Sequence, residues 1–177
     1  MKNTLILSTA LALFALNSCK ESEITVTEET VTPSASFGKY FTDEELTDAQ
    51  DIHVARTTAK PGDKITLKGE VMGREKIFVD GRASFIMGDP TKLTTCDKMP
   101  GDNCTTPWDA CCDSKELKKV GIASIQIVDE DGRVLDGDIK GTDGLKELST
   151  ITVTGTVAEN STEDNLVVNA TRIRVGN

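Results

Sequence analysis

Between Gly62 and Val175 apolar residues recur in runs at every second position, and that period confines this part of the chain to β-structure. Ile151-Thr152-Val153-Thr154-Gly155-Thr156-Val157 alternates without a slip, with three threonines on the face opposite Ile151, Val153 and Val157. Ile65, Leu67 and Val71 share one parity against Thr66, Lys68 and Glu70, and Gly69 interrupts the row as at a bulge or tight bend. Ile77-Phe78-Val79 and Arg82–Met87 flank Asp80-Gly81, a turn pair that predicts a hairpin. Ile122–Val128 leads to a second such pair, Asp131-Gly132, and then to Val134-Leu135. Gly144–Leu148 predicts one helical turn. The last run, Leu166–Val175, changes its inward parity near Ala170–Arg172, as it would across a bulge. With five Phe, one Tyr and one Trp, the core must be built chiefly from Val, Ile and Leu.

The order is therefore three strands, a short helical element and two more strands. Five stretches carry a further likeness: G-D-K-I-T-L-K-G-E-V at 62–71, A-S-F-I-M-G-D at 83–89, I-A-S-I-Q-I-V-D at 122–129, I-T-V-T-G-T-V at 151–157 and N-L-V-V-N-A-T-R-I at 165–173. Together they resemble the strand pattern of the OB-fold, in particular its tRNA- and helicase-type nucleic-acid-binding members. The resemblance covers about residues 60–177 and implies an all-β, five-stranded Greek-key barrel. The departure from that family is a Cys-rich insertion, residues 88–120, between the second and third strands.

The other constraint lies at the start of the chain. Met1-Lys2-Asn3 is a short positive segment, and Leu5–Leu16 is an unbroken apolar and small-residue run of twelve. Twelve residues are too few to span a hydrocarbon core as a helix, which takes about 20, but they suit the hydrophobic region of an export signal. Leu16-Asn17-Ser18-Cys19 resembles the lipobox of bacterial lipoproteins, although Asn17 is larger than usual there. The resemblance implies cleavage before Cys19, acylation of Cys19 by palmitate-type chains and anchorage in the cell envelope, with the membrane as first partner. By analogy with lipoprotein sorting in enterobacteria, the same resemblance implies that Lys20, in place of Asp, directs the chain to the periplasmic side of the outer membrane rather than the inner membrane.

On this reading residues 1–18 are a signal peptide and 19–41 a flexible acidic tether, Ser/Thr/Glu-rich and too poor in apolar surface to fold. Residues 42–59 form a lead-in, in which Thr42 and Glu45 match a capping box and Leu46, Ala49 and Ile52 predict a short helix over 43–53. Residues 60–177 form the barrel.

The insertion holds Cys96, Cys104, Cys111 and Cys112, an even number once Cys19 carries lipid. In an oxidising compartment this predicts two structural disulfides that staple the loop, with Trp108 packed over them. Three pairings are open; a Cys111–Cys112 bond would close a strained ring, which favours the two crosswise pairings with Cys96 and Cys104. The alternative is a four-thiolate metal site, although no C-x-x-C pair is present and Asp97, Asp102, Asp109 and Asp113 raise neighbouring thiol pKa values.

Composition narrows function further. The formal charge is −9, and nine of the acids lie within 19–59, so no basic stripe of the kind that neutralises phosphates is evident. Nucleic acid, which the OB resemblance implies, is disfavoured by that charge; its face would use Lys64, Lys68, Lys76, Arg82, Arg172 and Arg174, with Phe78 and Phe85 the available aromatics. His53 is the single histidine and reads as a surface or packing residue. No nucleophile elbow or phosphate loop is present, and Asp129, Asp131, Asp136 and Asp138 read as turn residues before acid/base groups or calcium ligands. The expectation is a non-catalytic envelope module without a cofactor, binding a protein, glycan or small ligand.

Overall fold

The computed structural model describes residues 37–101 and 103–176. The leader, the lipobox with Cys19 and the tether up to residue 36 lie outside the described residues.

Five strands close a barrel: β2 (Lys64–Glu70), β3 (Ser84–Gly88), β4 (Ile122–Gln126), β5 (Thr150–Val157) and β6 (Leu166–Val175). A two-residue strand, β1 (Gln50–Asp51), lies parallel beside β2. Around the barrel β2 pairs with β3, β3 with β4, β4 with β6, β6 with β5, and β5 returns to β2. All these pairs are antiparallel except β4–β6. Two short helices, α1 (Ile52–Thr58) and α2 (Lys115–Gly121), pack outside this predominantly strand-based body, which is compatible with an OB-like fold. Among the described residues no helix is long and apolar enough to cross a membrane.

The period of two becomes the inside and outside of the barrel. Ile65 and Leu67 on β2, and Ile151, Val153 and Val157 on β5, are buried, while the threonines of β5 are exposed or half-buried. Phe85, Ile125, Val168 and Ile173 complete the same core. Gly69 sits where β2 passes from β5 to β3; a Cβ there would stand 2.4 Å from the Gly88 carbonyl oxygen, so only glycine lets the two backbones meet. The β6 bulge falls at Thr171: Thr154 pairs with Arg172 and Gly155 with Ala170, and the skipped Thr171 hydroxyl donates to the Thr154 carbonyl at 3.1 Å. That extra residue restores Ile173 to the core.

Three local expectations take a different form. The Asp80-Gly81 turn is present, with Gly81 at φ +66°, but the hairpin reduces to a single bridge, Phe78 with Phe85. The predicted helical turn is a 3-10 turn at Thr142–Gly144. The lead-in helix stands at Ile52–Thr58 instead of 43–53: Thr42 Oγ1 accepts the Glu44 N–H (3.2 Å) in a local turn, and Ile52 and Ala55 bury against the barrel. The apolar pair, not the capping pattern, sets the helix. Phe37 is also buried in the core, and Phe41 bridges to Ile173.

Candidate functional site

The insertion leaves the barrel at Asp89, directly after β3, and returns through α2 into β4. Asp89 is fully buried, and its carboxylate is surrounded by donors. Oδ2 accepts the His53 N–H at 3.0 Å and His53 Nδ1 at 2.8 Å; Oδ1 accepts the Thr91 N–H at 2.9 Å and the Thr91 hydroxyl at 2.7 Å. Burial pushes the Asp89 pKa up, but these hydrogen bonds outweigh it and hold the carboxyl below its ordinary range. The single histidine is thus neither free surface nor plain packing. It ties the first turn of α1 to the root of the insertion.

Beyond that root the loop builds a core of its own from Leu93, Ala110, Met72 and Ile122. Trp108 packs on its edge and donates Nε1–H to the Glu75 carbonyl at 2.9 Å. The Asp113 carboxylate accepts the Thr94 N–H at 2.7 Å, and the Cys96 and Asp97 N–H groups reach the carbonyls of Asp109 and Pro107.

The cysteines sit within this scaffold, and the expected disulfide staple is not formed. The Cys96 and Cys111 sulfurs are 3.4 Å apart and those of Cys111 and Cys112 3.7 Å, against about 2.05 Å for a bond. Hydrogen bonds and the small apolar cluster hold the loop, with Trp108 packed on that cluster rather than on a sulfur bridge, and they keep the sulfurs at these non-bonded separations. What the fold assembles instead is a group of thiols. The sulfurs of Cys96, Cys104 and Cys111 all lie within 4.8 Å of one another, Cys96 buried, Cys104 half-buried and Cys111 exposed. Burial, with the hydrogen bond to Cys111, pushes the Cys96 thiol up to about 12. The Cys104 sulfur lies 3.2 Å from Thr106 Oγ1.

Of the cations singled out in the sequence, Lys64, Lys68, Arg172 and Arg174 share the outer face of β2, β5 and β6, while Lys76 and Arg82 flank the Asp80-Gly81 turn, and most carry an acidic neighbour. Lys68 lies 3.6 Å from Asp51, Lys76 2.6 Å from Asp80, Arg82 3.8 Å from Asp136 and Arg172 2.5 Å from Glu44. Arg174 donates to the Asp43 carbonyl, and Lys64 lies beside Thr66 and Thr154 on the β2–β5 face. Phe85 is buried in the core.

A different cationic surface exists that the sequence reading missed. Arg56 of α1, Arg74 after β2, and Lys115, Lys118 and Lys119 of α2 line a hollow of about 270 Å³. Asp164 is the one carboxylate on its wall, paired with Lys119 at 2.6 Å. Arg56 is anchored through the Ile122 carbonyl at 2.7 Å, while its Nε is buried with no hydrogen-bond partner. Lys118 also donates to the Cys111 carbonyl at 3.3 Å, so the hollow and the thiol group share a border. Only K-E-L-K-K at 115–119 hinted at it; Arg56 and Arg74 are distant in sequence.

The remaining carboxylates serve turns. Asp129 Oδ1 accepts the N–H groups of Asp131 and Arg133, and Asp138 accepts the Gly81 N–H. Asp129, Asp131, Asp136 and Asp138 do not converge as a ligand set; among the described residues the thiol group is the one that does. Comparison with known protein families, with characterised proteins and with solved structures found no match to this chain.

Proposed function

We propose that the chain is a lipid-anchored cell-envelope protein whose OB-like barrel is a rigid, non-catalytic binding module, and that the cationic hollow beside the insertion receives an anionic group of its partner. The leader and Leu16-Cys19 support the anchor, and Lys20 the outer membrane. The hollow supports the binding role: five cations from three separate segments face one carboxylate in a chain of net charge −9. Holding like charges together costs electrostatic free energy, which an incoming anion relieves. Its volume suits one phosphate or carboxylate group on a glycan, lipid or protein. No aromatic side chain lines it, so the stacking worth about 1–3 kcal/mol per base in single-strand binders is missing there. Salt bridges also occupy most of the cationic face that the OB resemblance implied for nucleic acid.

Pyrophosphate is a compact probe for this site. Titrated into the full chain at low salt, it should shift the amide resonances of Arg56, Arg74 and Lys115–Lys119. Salt should weaken the effect. Reversing two charges, Arg74→Glu with Lys118→Glu, should cost about tenfold in affinity or more, about 1.4 kcal/mol. Absence of shifts at these residues, or binding of a single-stranded oligonucleotide centred on Lys64, Lys68 and Arg172, would contradict the reading.

A further inference from the structure

The geometry points to a metal site that is independent of the anion-binding reading: we infer that the sulfurs of Cys96, Cys104 and Cys111 hold one thiophilic d¹⁰ cation, zinc(II) or copper(I), with Cys112 beside the fourth position. Three observations carry it. The sulfurs converge within 4.8 Å although Cys96 and Cys104 are eight residues apart and Cys111 seven further on. With metal–sulfur bonds of about 2.3 Å, neighbouring sulfurs of a tetrahedral site stand about 3.8 Å apart. The Cys96–Cys111 and Cys111–Cys112 separations, 3.4 and 3.7 Å, are near that edge and far beyond a disulfide bond. The backbone presenting them is fixed by the Cys96 N–H to Asp109 carbonyl bond, by Asp113 and by the Leu93–Ala110 cluster, so the sulfurs are set before any ion arrives.

The chemistry balances simply. Each ligating thiol gives up its proton as its sulfur lone pair binds the ion; three thiols release three protons, and nothing is oxidised. Without an ion, burial keeps the Cys96 thiol protonated; a bound cation reverses that preference. Protons compete with the ion for the sulfurs, so affinity should fall about tenfold per thiol proton displaced for each unit that pH is lowered.

The test uses the full-length chain, purified in detergent under argon. Cobalt(II) should give a thiolate-to-cobalt charge-transfer band that saturates at one ion per chain and is bleached by one equivalent of zinc(II). Elemental analysis of the protein isolated from its own membranes tells the two ions apart, because copper(I) binds thiolates more tightly than zinc(II) whichever is resident. Native mass spectrometry of the unaltered protein should show one metal and three lost protons. Cys96→Ser and, separately, Cys104→Ser should each abolish stoichiometric binding, with circular dichroism confirming the fold. No charge-transfer band, a mass four hydrogens light from two disulfides, or full binding by either folded variant would overturn the assignment.

Discussion

Asp89→Ala is expected to destabilise the domain by about 3 kcal/mol, lowering Tm by about 10 °C. The carboxylate is fully buried and accepts four hydrogen bonds, two from His53 and two from Thr91. Hydrogen bonds to a charged acceptor contribute about 1.5–3 kcal/mol each, but these four are not additive because they share one carboxylate. Truncation leaves the donors without an acceptor, and His53 is exposed enough for water to recover part of the loss. The pH dependence gives a second signature. Because the folded-state pKa of Asp89 is depressed, its stabilisation is present above the unfolded-state value of about 4 and is lost as pH falls through the folded value. Urea unfolding of the native chain should therefore weaken below about pH 4, and Asp89→Ala should remove that share of the acid dependence. A loss under about 0.5 kcal/mol, or an unaltered acid profile, would mean that the His53–Asp89–Thr91 tie does not anchor the insertion.

Phe85→Ala should cost still more, about 4 kcal/mol, whereas Phe78→Ala should cost about 1. Phe85 is fully buried on β3, paired with Ile125 across the sheet, and its removal opens a cavity that a closed barrel cannot collapse. Phe78 is half-buried, its ring centroid 6.0 Å from that of Phe85 and tilted by 38°, so its truncation exposes one flank of Phe85 without emptying the core. Chemical denaturation of the two variants checks the ranking. A Phe85→Ala cost of about 1 kcal/mol or less would instead fit a surface ring, as a stacking platform requires.

The strands were legible because alternation and turn chemistry are local. I-T-V-T-G-T-V at 151–157 and the parity change around Thr171 say which side chains face in, without knowledge of the partner strand. The disulfide expectation failed for a different reason. Cysteine number and compartment say that sulfurs are available for pairing; they do not say at what separation the folded loop holds them, here 3.4 and 3.7 Å. The helix was misplaced because Thr42 and Glu45 satisfy a capping pattern, yet burial of Ile52 and Ala55 decides where seven residues can stay helical. Asp89 reads in sequence as the start of a loop, since no local pattern announces that His53, 36 residues earlier, returns to it. The hollow is equally non-local: the closed barrel and α2 bring Arg56 and Arg74 to Lys118, and neither arginine stands in a basic run.

A binding module of the envelope must first be delivered there, and the mass of the protein taken from its own membranes tests this directly. The account predicts a polypeptide that starts at Cys19, heavier than residues 19–177 by three acyl chains, recovered with the outer membrane and accumulating as unprocessed precursor under globomycin. A chain with its leader intact and Cys19 unmodified, recovered from the cytoplasm and indifferent to the inhibitor, would contradict it.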